Sequence, residues 1–156
     1  MSKNSEKEND KESLIEVFIF ETIQLLEQLE QLIICSEKDR RLESSINEIF
    51  RIMHTIKGSA SMMSYHGISS VAHVVEDILN AIREKKPEKL NYQILTDIIL
   101  EANDFIKQEI SKVQKDKTYN PESNINIEQY INSANDFLSS LNISNTSINP
   151  SAPGTS

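Results

Sequence analysis

The 156-residue chain is long enough for one domain with a substantial core. Its formal charge of −8 at neutral pH argues against a nucleic-acid binder, whose phosphate contacts need a basic face. It has three glycines and four prolines, two of the latter (Pro150 and Pro153) near the C-terminus, so its interior lacks the turn signals of a many-stranded sheet.

No apolar run reaches the roughly 18–20 residues that span a bilayer. The opening MSKNSEKEND is too polar for a secretory signal, and the single Cys35, read as a small filler near a helix end, suits a reducing, cytoplasmic compartment. Residues 1–10 are expected to form a disordered polar leader. From Lys11 to about Cys35 the pattern predicts a first helix, with Leu14, Phe18, Leu25, Leu29 and Leu32 on its apolar side and Glu16, Glu27, Glu30 and Gln31 between them. The charged stretch Ser36 to Arg41 reads as a loop. A second helix follows over about 43–62, on Ile46, Ile49, Phe50, Met53, Ile56, Ala60 and Met63. Ser64-Tyr65-His66-Gly67 closes it, and Gly67 is expected to supply the left-handed residue that ends the helix.

Ile68, Val71, Ala72, Val75, Leu79 and Ile82 mark a third helix over 68–85. It stops near Lys86-Pro87, with Arg83, Lys85 and Lys86 at the negative end of the helix dipole. Asn91 is expected to cap a fourth helix over 91–115, buried through Leu95, Ile98, Ile99, Ala102, Phe105, Ile106, Ile110 and Val113. A polar connection containing Pro121 leads to a shorter fifth helix over about 127–141, and residues 143–156 read as a flexible linker or tail. Four long amphipathic helices with short connections predict an all-α, antiparallel up-and-down four-helix bundle over 11–142, with the additional C-terminal fifth helix extending or capping it.

The second helix carries a polar stripe of Asn47, Arg51, His54, Gly58 and Ser61 beside its apolar one. If the second and third helices form an antiparallel hairpin turning near Tyr65, facing positions have a constant sum, which sets His54 level with Glu76 and Lys57 level with His73. His54 and Lys57 are three residues apart on the second helix, and His73 and Glu76 on the third, so each of these pairs shares a face. This grouping suits a phosphoacceptor. A neutral imidazole attacks through its unprotonated nitrogen, and a carboxylate on the other nitrogen, here Glu76, sets the tautomer and stabilises charge on the ring. Lys57 offers positive charge to phosphoryl oxygens, and Gly58 keeps the approach clear of a side chain. A mid-helix glycine costs about 1 kcal/mol relative to alanine, so its presence invites a reason other than stability. Arg51 and Ser61 flank this approach.

The segment FRIMHTIKGSASMMSYHGISSVAHVVEDIL, Phe50 to Leu79, resembles the histidine phosphotransfer (HPt) domain at the N-terminus of chemotaxis histidine kinases of the CheA type. The likeness rests on His54-Thr55-Ile56-Lys57-Gly58-Ser59-Ala60 and on His73-Val74-Val75-Glu76-Asp77. It implies that His54 is phosphorylated and that Glu76, Lys57 and His73 form its hydrogen-bonding network. It also implies a carrier that binds no cofactor, ATP and Mg being used by a separate kinase catalytic domain. His54 would then pass the phosphoryl group to the aspartate of a response-regulator receiver domain. Neither a glycine-rich ATP lid nor another nucleotide motif occurs in the sequence, so self-phosphorylation is not expected, and the isolated domain is expected to be monomeric. Three other readings stand beside this one. They are a free-standing HPt protein, a helical scaffold, and a metal site on His54, His73 and Glu76, which lacks the repeated Glu-x-x-His set of di-metal bundles and has a lysine beside it.

Overall fold

A computed structural model describes residues 2–39, 42–122 and 125–147 and contains five helices: α1 Ser2–Asp39, α2 Leu42–Met62, α3 His66–Lys85, α4 Tyr92–Lys115 and α5 Ile125–Ser147. There is no strand among the described residues. α1 packs on α2 and α4, and α3 on α2 and α4, which closes a four-helix ring. α5 lies outside the ring against α3. The expected all-α bundle with an additional C-terminal helix is what the chain forms.

Burial follows the predicted stripes closely in α3 and α4, where every position assigned to the core is buried except the half-buried Phe105. α1 departs from its prediction. Leu14, placed on the apolar side, is 61% exposed, and the buried face is Ile15, Phe18, Ile19, Thr22, Leu26, Leu29 and Ile33. The segment LIEVFIF carries apolar residues all round the helix, so its periodicity does not select a face. Contact with α2 and α4 does.

The helix also begins earlier than expected. The leader predicted to be disordered is helical from Ser2, and residues 4–14 are exposed along it. Its lysines and glutamates are good helix formers, and no proline or glycine interrupts them. At the other end α1 runs through Ser36 to Asp39, into the predicted loop, while Arg40 and Arg41 lie outside the described residues. Ser36 is held by its own hydroxyl, which donates to the Leu32 carbonyl at 2.6 Å, and Cys35 is exposed. α5 extends to Ser147, beyond the predicted end. Of the expected tail, residues 148–156 lie outside the described residues.

The α2–α3 hairpin ends α2 through Ser64 rather than Gly67. Ser64 is left-handed at φ 62°, its N–H bonds to Ser61 O at 3.0 Å, and the Tyr65 N–H reaches back to Ala60 O at 2.8 Å. This pair of bonds is the Schellman closure of a helix C-terminus. Tyr65 is then buried edge-on against Phe18 of α1, with ring centroids 5.3 Å apart. Gly67 is instead inside α3 with ordinary backbone angles, and its N–H bonds to Pro121 O at 2.7 Å. A Cβ there would meet Pro121 O at 2.7 Å, Glu122 O at 2.9 Å and Ile127 Cδ1 at 2.9 Å. Glycine is needed at this point for close approach of the α4–α5 connection, not for a turn.

The other termini follow the sequence. Asn91 Oδ1 accepts the Ile94 N–H at 3.1 Å and caps α4, and Lys86 ends α3 in the left-handed conformation at φ 44°. No helix among the described residues is long and apolar enough to cross a membrane.

Candidate functional site

α2 and α3 form the closest antiparallel pair of the bundle, and their register decides which side chains meet. On α2, Met53 is fully buried while its neighbour His54 has a side chain 62% exposed. Across the hairpin, Glu76 sits among buried residues of α3 with only 11% of its side chain accessible. The positions matched by constant sum, His54 and Glu76, are in direct contact: His54 Nδ1 lies 2.9 Å from Glu76 Oε1.

An ionised carboxylate can only accept, so Nδ1 carries the proton and donates it. In the neutral ring, this tautomer leaves the lone pair on Nε2. Glu76 has a second cation: Lys57 Nζ is 2.7 Å from Oε2, an ion pair that gives this otherwise buried oxygen its counter-charge. Burial pushes the Glu76 carboxyl upward, but the Lys57 ammonium and the His54 ring outweigh it and hold the group below the usual glutamate range. At neutral pH Glu76 is therefore a fixed negative charge aimed at Nδ1.

The site differs from the expected four-residue network in one member. His73 does not contact the Glu76 carboxylate. Its Nε2 lies 3.4 Å from Asp77 Oδ1, one turn along α3, and both side chains are more than half exposed. The cause is the reach of Lys57. Lys57 stands one turn along α2 from His54, and its flexible stem reaches back to the desolvated carboxylate of Glu76 instead of facing His73, because an unpaired buried charge is costly. Lys57 also places an ammonium on the oxygen that a metal set of His54, His73 and Glu76 would use.

Gly58 is exposed, and a Cβ added to it would meet nothing within 4 Å. The fold itself does not require glycine there. Arg51 and Ser61 are exposed on the same helix. The Arg51 carbonyl accepts the Thr55 hydroxyl at 2.9 Å, and the Ser61 hydroxyl is 2.7 Å from that of Ser69 on α3.

Two further residues adjoin the site that spacing had assigned elsewhere. Phe50, counted only as an apolar position, has its ring 6.2 Å from that of His54 with 15° between their planes. Arg83, counted only as a helix-end cation, has its guanidinium 4.5 Å from the Phe50 centroid. The signal for both was present in the numbering, since Phe50 precedes His54 by four residues and Arg83 follows Glu76 by seven, spacings that keep to one helical face.

With this geometry in view, comparison with known proteins gives a consistent answer. A family model described as "Hpt domain" matches residues 13–116, about two thirds of the chain. The chain is similar to the chemotaxis protein CheA of Treponema pallidum, 38% identical over 96 residues, or 62% of this chain and 12% of that protein. It is similar to the chemotaxis protein CheA of Borreliella burgdorferi, 36% identical over 110 residues, or 70% of this chain and 12% of that protein. It also resembles the sensor histidine kinase CheAY of Helicobacter pylori, 33% identical over 99 residues, or 64% of this chain and 12% of that protein. The matched stretch is thus about an eighth of the length of these curated relatives. No solved structure gives a significant match.

Proposed function

The chain belongs to the Hpt domain family, and from that premise we propose that it is the phosphotransfer domain of a chemotaxis-type sensor kinase, with His54 as the phosphorylated residue. The observation that carries this reading is the His54–Glu76–Lys57 group, an exposed imidazole whose Nδ1–H is held by a buried carboxylate that is itself neutralised by an ammonium.

The chemistry follows from that arrangement. A separate kinase domain binds ATP with Mg and presents the γ-phosphorus to Nε2. The lone pair of Nε2 forms the N–P bond as the bond from phosphorus to the β-γ bridging oxygen breaks and ADP leaves. Positive charge develops on the ring, and Glu76 stabilises it through Nδ1–H. Lys57, bound to Glu76, also places positive charge near the transferred group. In the second half of the cycle a receiver-domain aspartate attacks the phosphorus, the N–P bond breaks, and His54 returns to the neutral tautomer that Glu76 selects. The domain is on this reading a carrier that uses two other active sites, holds no cofactor, and acts as a monomer. The match to a short part of much longer chemotaxis proteins, one of them a sensor histidine kinase, favours a kinase-derived domain over a free-standing phosphorelay protein.

The test is incubation with the ATP-binding core of a CheA-type kinase and labelled ATP, then addition of a chemotaxis receiver domain. The wild type is expected to take up acid-labile label and lose it to the receiver. His54→Gln is expected to keep the helical spectrum and take up none, and undiminished labelling of that variant would refute the assignment.

A further inference from the structure

One hydrogen bond does not fix a ring. The Glu76 contact at Nδ1 sets the tautomer, but it leaves the ring free to swing about the Nδ1–H···O line, and most of the His54 side chain has solvent around it. The direction of the Nε2 lone pair depends on that swing. A second restraint, acting on the face of the ring, is present in Phe50. It lies one turn before His54 on α2, nearly parallel to it, with ring centroids 6.2 Å apart. The two rings stack within the separation over which aromatic rings attract.

Phe50 is itself held. It is half-buried, and Arg83 of α3 places its guanidinium over the ring at 4.5 Å, within cation–π range. α3 thus reaches the same strip of α2 twice, through Glu76 to His54 and, two turns on, through Arg83 to Phe50. The imidazole is thus hydrogen-bonded at one nitrogen and stacked beside a ring that α3 also holds.

We infer that Phe50, seated by Arg83, is a positioning residue that orients the His54 imidazole for phosphoryl transfer. The inference rests on the phosphotransfer reading of His54. Phe50 touches neither ATP nor the receiver in this role and acts only through the ring beside it. It therefore affects the rate of the chemical step rather than docking, since misorientation of a nucleophile is costly in rate.

The test uses the full chain with a CheA-type kinase core and ATP, comparing Phe50→Leu, Phe50→Tyr and Arg83→Gln. Phe50→Leu keeps an apolar side chain but removes the aromatic face, and is expected to lower kcat for phosphorylation about tenfold with KM within twofold. Phe50→Tyr is expected to restore the wild-type rate. Arg83→Gln, at an exposed position that the core does not depend on, is expected to give a smaller fall of about threefold in kcat, in keeping with its indirect role.

A readout independent of phosphorylation accompanies these. Imidazole 15N spectra of the neutral ring are expected to show a single Nδ1–H tautomer in the wild type, and broadened ring resonances in Phe50→Leu, whose imidazole is free to swing. The inference is overturned if Phe50→Leu retains wild-type kcat and wild-type ring spectra. It is overturned equally if only KM moves, or if Tyr fails to rescue. Should Phe50→Leu unfold, the ring spectra and kcat of Arg83→Gln decide the matter, and no change in either overturns the inference. If the wild type itself takes up no phosphoryl group, the phosphotransfer reading falls, while the ring spectra still show whether Phe50 orients His54.

Discussion

Glu76 is buried by its place among the core residues of α3 and kept charged by Lys57 and His54. Removing its charge would leave Lys57 without a counter-ion and His54 without a fixed tautomer. Because the folded carboxyl titrates below its ordinary range, its contribution is fully present above the unfolded glutamate pKa and is lost as pH falls through the lower folded value. Glu76→Gln is therefore expected to be less stable than wild type at neutral pH by about 1 kcal/mol, and the gap is expected to close as the pH is taken below the usual carboxylate range. Urea unfolding of both proteins at neutral and acid pH measures it, and a gap that does not change with pH would mean that the ion pair adds nothing. At this scale much of the site was legible. A constant sum across a predicted hairpin matched His54 with Glu76, and the contact exists at 2.9 Å. The partner of Lys57 was not legible. Backbone register gives the level of a residue, while a four-carbon stem lets the ammonium choose the nearest buried charge, so Lys57 pairs with Glu76 and His73 with Asp77.

Helices α3 and α4 were readable because apolar residues repeat on one face only, and Asn91 announced its cap. α1 was less so, since Leu14, Val17 and Phe20 are apolar yet 61%, 52% and 63% exposed, and only the neighbouring helices decide which face turns inward. The α2–α3 turn shows a different limit. The glycine five residues past the end of α2 was the expected left-handed residue, but Ser64 takes that conformation and Gly67 serves a contact distant in sequence, with Pro121 and Ile127. Sequence spacing carries no information on such an approach. It has a direct consequence, because the added methyl of Gly67→Ala would overlap two carbonyl oxygens that cannot easily move. The variant is expected to lose about 1–3 kcal/mol of stability, as overpacked sites do. Chemical denaturation reads this out, and an unchanged midpoint would show that the α4–α5 connection yields at little expense.

Across the whole molecule the bundle supplies what the site needs. α2 and α3 are braced by α1 and α4, and α5 with its connection secures the start of α3, the helix that carries Glu76. The Glu76 end of the site is thus buried, while the His54 side chain is exposed and the space around Gly58, one turn on, is open. The central claim is that this architecture dedicates one ring nitrogen of His54 to each task, Nδ1 to Glu76 and Nε2 to phosphorus. The measurement that tests it most directly is the position of the phosphoryl group on the phosphorylated chain, read by NMR correlation of phosphorus with the imidazole protons and nitrogens. The account predicts a single phosphohistidine at His54, with phosphorus on Nε2 and the proton on Nδ1. Phosphorus on Nδ1, or on any residue other than His54, would contradict it.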